Sequence, residues 1–372
     1  MKTNRNVQRS TLALIDLRAI SHNIAEIRKR IGKERDLMAV VKADGYGHGA
    51  VEVSVSALGS GANCLGVALP EEGEQLRKAG IVAPILVLGL IQPGEAYKVI
   101  DSGLEQAVCT LELAQALDQE ARKASVKVNV HVKVDTGMGR IGIAPQDSLE
   151  FVRKVSRLKN LRLTGIFSHF PSADEADKAF TRSQIHIFDQ IVRQIGDAGL
   201  KIPKRHIANS AAIMDLPESY FDLVRPGIMI YGLYPSTAVS RSIKLKPAMT
   251  LKTKIIYVKK VPAGTPISYG RTFYTERDSV VATLPVGYAD GYYRLLSNQG
   301  SVQLRGRRVP LRGRVCMDMC MIDVSGIKDV RPGEEVVLFG DDPTVDEIAG
   351  KIGTINYEVV CAVGKRVPRI YQ

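Results

Sequence analysis

The sequence predicts an α/β plus β protein, with an N-terminal (β/α)8 barrel of the TIM type followed by a mostly-β domain. Two observations carry the expectation. From residue 12 to about residue 232, apolar runs of strand length alternate with longer amphipathic segments, as repeated βα units require. After Leu233 the texture changes, because YPSTAVSRSIKLKPAM is rich in Pro, Ser and basic residues and reads as a linker. The segments beyond it (MTLKTKIIYVKKV, SVVATLPVGYAD, SVQLRGRRVPLRG, EEVVLFG) are short, β-rich and separated by turns. At 372 residues the chain accommodates a barrel of about 250 residues and a smaller companion. The expected boundaries are 12–240 for the barrel and 247–372 for the second domain, with the residues before Leu12 free to join the latter.

Barrel strands are expected at 36–42, 64–68, 84–90, 104–109, 128–135, 163–169, 205–209 and 222–231. The clearest helix is 174–198, whose Ile185, Phe188, Ile191, Val192 and Ile195 fall at i, i+3, i+4 spacing. Eight units favour a closed barrel over an open doubly wound sheet, and barrel chemistry sits at the C-terminal ends of the strands. The residues that close the runs are therefore the candidates: Lys42, Lys133, Asp135, His169, Asn209, Ser210 and Arg225. Lys42 ends the apolar run 37–41 and opens the loop ADGYGHGA. Desolvation lowers a lysine's preference for charge, and a neutral amine can attack a carbonyl to form a Schiff base. The competing assignment for Lys42 is an ordinary ion pair with Asp44.

Composition excludes several classes. Hydrophobic residues make up 45% and charged residues 24%, with a mean hydropathy of -0.02, which argues against both disorder and a membrane protein. The N-terminal segment lacks the apolar region of a secretory signal, so a cytoplasmic enzyme is expected. Five cysteines without a C-x-x-C pair indicate reduced thiols and no metal site. The net charge of +12 is scattered, and aromatics are only 6% with no Trp, so nucleic acid is not an expected partner. A positive field around a site for small anions accounts for the charge as well.

In order along the chain stand VKADGYGHG, KVDTGMGRIG, SHFPSADE, HIANSAA, VRPGIMIYGL, SYG, GYADGYYR, GRVCMD and INYE. This set resembles the alanine racemases, pyridoxal 5'-phosphate (PLP) enzymes built from a barrel and a C-terminal β domain, and the resemblance spans residues 12–371. It implies an isomerase that interconverts L- and D-alanine for peptidoglycan, as a head-to-tail homodimer with shared sites. It implies further that Lys42 carries the cofactor and acts as one base, with Tyr269 of the partner subunit as the other. Tyr46, Asn209, Ser210, Gly227, Ile228 and Tyr357 match the cofactor-phosphate positions, Arg225 the arginine at the pyridine nitrogen, and His169 the imidazole near the ring. Arg140 matches the arginine at the cofactor's phenolic oxygen and, with Met317, the substrate-carboxylate position. Lys133 matches a lysine that is carbamylated in many members, and Asp174, Tyr288, Arg294, Arg314 and Ile355 match residues lining the access channel. Cys316, beside these, is expected to be a packed thiol. The alternatives are a barrel-type PLP amino-acid decarboxylase, whose distinguishing motifs are not found, and a non-catalytic PLP-binding barrel, which typically lacks a second domain.

Overall fold

The computed structural model describes residues 9–372, and the chain divides into two compact units. The first comprises Arg18–Gly45 and Gly49–Lys246 and holds an eight-stranded, wholly parallel sheet. With β1 (Leu12–Ile15) described below, its strands are β2 (Asp36–Val40), β3 (Cys64–Val67), β4 (Ile85–Val87), β5 (Glu105–Val108), β6 (Val128–Lys133), β7 (Leu161–Phe167), β8 (Lys204–His206) and β9 (Leu223–Val224). Neighbours in sequence are neighbours in the sheet from β2 to β8, and β9 returns to pair with β2. The amides of Asp222 and Arg225 then donate to the carbonyls of Arg205 and Ala208, which brings β9 alongside β8 and closes the ring. Strands such as CLGV and ILV are apolar throughout because both faces of a parallel sheet are covered. The covering helices are amphipathic, as in Leu17–Ile31, where Ile20, Ile24, Ile27 and Ile31 are buried.

Several expected elements are shorter than their sequence pattern, two of them for a visible local reason. The run 222–231 is strand only at Leu223–Val224, because Pro226 has no N–H to continue a ladder and the chain turns into a 3-10 segment at Ile228–Tyr231. The helix expected at 174–198 spans Ala179–Asp197, with the Asp177 carboxylate accepting from the Ala179 amide at its start.

The second unit comprises the chain through Leu17, Tyr46–His48 and Pro247–Gln372. β1 runs antiparallel to β10 (Met249–Lys254) and parallel to Arg369–Tyr371 inside a six-stranded sheet. The barrel unit thus begins at Arg18 and not at the expected residue 12, because the alternating LALI places Ala13 and Ile15 in the second unit's core. A three-stranded sheet, a two-stranded sheet and the helices Val345–Ile352 and Asn356–Cys361 complete it. No described helix is long and apolar enough to cross a membrane.

Candidate active site

Lys42 is half-buried and starts a turn of unusual hand. Ala43, Asp44, Gly45 and Tyr46 all have φ between 51° and 60°. Each non-glycine residue in that region costs about 1–2 kcal/mol, so the segment persists only if its surroundings hold it. Glu72, in the first turn of the helix Pro70–Lys78, does so by accepting from the Ala43 amide at 2.7 Å with one carboxylate oxygen. The other oxygen accepts from Ala68 (2.7 Å) and Leu69 (3.2 Å). Asp44 contributes twice, through its carbonyl to the Gly49 amide and through its carboxylate to the Ala50 amide at 2.9 Å. The carboxylate offered by the sequence as an ion-pair partner for Lys42 is therefore engaged in folding the turn.

Across the same barrel lies a group of cations and neutral imidazoles. Lys133 closes β6 with 2% exposure, and its Nζ has no hydrogen-bond partner. Burial, followed by the charges of Arg225 and Arg140, pushes its amine well below the usual lysine value. The nearby Asp135 carboxylate is occupied by the amides of Gly137, Met138 and Gly139 at 2.7 to 2.9 Å. That loop leads directly to Arg140, which is exposed.

Arg225 is buried, and its Nη2 donates to the carbonyls of Ser168 (2.8 Å) and Ile207 (3.2 Å) and to His169 Nδ1 (3.3 Å). Its Nη1 donates to His206 Nδ1 at 2.8 Å. Burial and the charges of Arg225, Lys133, Arg140 and Lys42 hold His169 well below the ordinary histidine value, so its ring is neutral. Phe167 is the floor of this group, with Lys133 Nζ 4.8 Å and Arg225 Cζ 5.3 Å from its ring centre and the His206 ring stacked on it at 4.8 Å. The Arg225 cation is stabilised there by the ring's quadrupole, while the neutral Lys133 amine packs against the same ring.

Asn209 caps the helix Ser210–Asp215 by accepting from the Ala212 amide, and the Ser210 hydroxyl accepts from the Gly227 amide at 2.9 Å. Ser210, Gly227 and Ile228 thus form one buried corner after β8 and β9. Asp174 lies in the loop before Ala179–Asp197, its carbonyl accepting from the Ser236 hydroxyl at 2.6 Å.

The second unit brings its own candidates together. Tyr288 and Ala289 donate through their amides to the carbonyls of Cys316 and Met317, so GYADGYYR and GRVCMDM lie against each other. Gly287 permits this, since a Cβ there would sit 2.2 Å from the Cys316 carbonyl. The Ser268 hydroxyl donates to the Arg314 carbonyl at 2.6 Å and lies 3.4 Å from Cys316 Sγ, which joins SYG to the same cluster. Tyr269 is 71% exposed and Met317 52%, and Tyr288 and Ile355 are also exposed. Arg294 projects from the same GYADGYYR loop, and Tyr357 packs against Tyr46 with ring centres 6.1 Å apart.

Family models for the alanine racemase N-terminal domain and C-terminal domain match residues 15–235 and 248–371. The chain belongs to the alanine racemase family. It is 48% identical to the alanine racemase of Halothermothrix orenii over 99% of this chain and 98% of that one. To alanine racemase 1 of Clostridium acetobutylicum it is 46% identical, covering 98% and 95%. Among solved structures, the alanine racemase of Clostridium difficile superposes with a TM-score of 0.95 at 38% identity, covering 98% and 96%. That of Bacillus anthracis with bound L-Ala-P gives 0.92 at 36%, covering 98% and 95%. This enzyme is accordingly an amino-acid isomerase with the barrel and β-domain plan. The racemase motifs were legible in its sequence, but Glu72, Phe167, His131 and His206 were not singled out. For Glu72 a signal existed: it is the third residue of a helix that follows a barrel strand, where a carboxylate meets free amides.

Proposed function

We propose that this alanine racemase works with PLP and two bases, Lys42 and Tyr269 of the partner subunit, in a head-to-tail homodimer. The observation that carries the proposal is the buried Arg225 guanidinium beside the neutral Lys133 amine, with Arg140 and Lys42 near them and no carboxylate hydrogen-bonded to Arg225 among the described residues. Such a group suits a dianionic phosphate cofactor, and the unpartnered Lys133 Nζ and the Ser210–Gly227 corner suit it too. Lys42 would anchor the cofactor covalently; Tyr46, Asn209, Ser210, Gly227, Ile228 and Tyr357 would hold its phosphate, and His169 and Arg225 would flank its ring. When bound, PLP supplies an electron sink that acidifies the Cα proton of the substrate.

The chain's own part is proton handling and charge placement. Arg225 can only donate, so it leaves the ring nitrogen without a proton and tempers the sink, which disfavours transamination. Inversion needs a proton removed from one face and another delivered to the opposite face, which two bases on opposite sides accomplish. Tyr269 of the partner subunit would be the second of these bases, facing the substrate from the side opposite Lys42. Arg140, with the backbone at Met317, would hold the substrate carboxylate, and Asp174, Tyr288, Arg294, Arg314 and Ile355 would line the access channel. Lys133, neutral, buried and beside two guanidinium charges, is suited to add CO₂ and release a proton as a carbamate, which sets an anion beside those two cations. A carbamate signal from ¹³C-labelled bicarbonate supports this, and a bare amine under saturating CO₂ overturns it. We assign the enzyme to D-alanine supply for peptidoglycan in the cytoplasm.

The test of the whole assignment is incubation of L- or D-alanine in D₂O. Loss of the Cα proton with change of hand is expected. Release of CO₂ without inversion would sink it.

A further inference from the structure

Arg225 has no direct counter-charge among the described residues, yet a buried chain leads from it to one. A guanidinium has no acceptor, so the 2.8 Å contact between Nη1 and His206 Nδ1 makes Nδ1 a bare acceptor and leaves the ring proton on Nε2. His206 Nε2 lies 2.8 Å from His131 Nδ1, which must then accept and is bare in turn. The His131 proton is therefore on Nε2, which makes no well-aligned hydrogen bond but lies 3.3 Å from Glu105 Oε2, in electrostatic contact with the carboxylate. The other Glu105 oxygen accepts from Asn129 Nδ2 at 2.9 Å. Burial works to raise the Glu105 carboxyl, but its contacts with His131 and Asn129 outweigh it and hold it below the usual value.

The barrel is built to keep these rings in line. His206 stacks on Phe167 with an interplanar angle of 2°. At Gly165 a Cβ would sit 2.3 Å from His131 Nδ1, so the absence of a side chain there makes room for the ring. The β6–β7 pairing shifts register between Val130 and His131, opposite this glycine. Both histidines are fully buried, the His206 proton is accepted by His131 Nδ1, and the His131 proton is left to the field of the Glu105 carboxylate.

We propose that Glu105, His131 and His206 are positioning residues for racemisation: a remote carboxylate and two neutral imidazoles of one fixed tautomer orient and counter-charge Arg225. The chain runs Glu105⁻, His131 Nε2–H, His206 Nε2–H, Arg225⁺, hydrogen-bonded from Arg225 to His131 and closed by the 3.3 Å charge contact with Glu105. The consequence for turnover rests on Arg225 serving the cofactor ring, as proposed above; the tautomers themselves do not.

The enzyme has six histidines, few enough for imidazole ¹⁵N spectra of the labelled holoenzyme. Both His131 and His206 are expected neutral, with protonated Nε2 and bare Nδ1. A proton on Nδ1 of either ring overturns the chain without recourse to any variant. The near-isosteric Glu105→Gln is expected to move the His206 resonances as well as those of His131, and to lower kcat about tenfold with little change in KM, as loss of an outer hydrogen-bond partner does. If Glu105 merely ties β5 to β6, His131 moves and His206 stays, and the proposal fails. Should the two-base assignment fail instead, the spectra would be unaffected, since they read the side of Arg225 away from the reaction.

Discussion

The barrel mouth and the rim of the second unit solve opposite problems with polar side chains. In the barrel, Arg225, Lys133, His169 and His206 sit together with almost every polar atom committed: Arg225 makes four hydrogen bonds, and the imidazoles are forced neutral. On the rim, Tyr269 and Met317 are more than half exposed, although the loops that carry them are tightly knit by Ser268, Gly287 and the amides of Tyr288 and Ala289. The barrel group is preorganised within its own unit, whereas the rim is rigid but uncovered. A rigid, exposed tyrosine suits a group that completes its task only when a second copy of the chain meets it, which is the reason we assign it to the partner subunit's site.

The largest expected effect tests the barrel side. Lys42→Ala should lower racemisation by at least about 10⁴-fold if Lys42 is both the covalent anchor and one base, as we propose. Retention of turnover within a factor of ten, measured with the cofactor bound, would remove Lys42 from the chemistry.

Tyr269→Phe tests the rim and is expected to lower inversion by about 10²- to 10⁴-fold. Because the enantiomers are equal in energy, inversion must fall alike in both directions. The asymmetry belongs to isotope exchange: the enantiomer whose Cα proton faces Lys42 should still exchange in D₂O, and the other should not. Equal loss of exchange from both would contradict two bases on opposite faces.

Glu72→Ala should cost about 2–3 kcal/mol, because three backbone amides lose a charged acceptor and the left-handed turn after Lys42 loses its main support. Denaturant unfolding measures the stability change, and kcat should fall with it. An unfolding midpoint equal to that of the parent enzyme would mean that the turn is held by Asp44 and the glycines alone.

The smallest effect is on pH. His169 and His206 have folded-state values well below the usual 6.5, chiefly from burial and the Arg225 charge. A lowered histidine gains a proton more readily when unfolded, so its contribution to stability is present above about pH 6.5 and is lost as the pH falls below that. Melting temperature should therefore drop between about pH 7 and 5, and His206→Gln should flatten the drop. A parent profile that is level over this window would show that these rings protonate without penalty.

By itself the sequence determined the barrel, seven of its eight strands to within a few residues and the family motifs, because period-2 and period-3.6 apolar patterns and glycine-rich strings are local properties. The site residues at strand ends followed from the same logic, since a strand's C-terminal end is a position in the sequence as much as in space. Only the tertiary structure decided what those residues touch. β1 joins the second unit because its partners are Met249–Lys254 and Arg369–Tyr371, more than two hundred residues away, and no local pattern encodes pairing across such a distance. Asp44 turned out to be a turn former, and Glu72, on a separate helix, the support of the lysine's turn, because free amides are satisfied by whatever carboxylate the fold delivers. His131 and His206 look like ordinary strand residues until the barrel closes and sets them in line between Glu105 and Arg225.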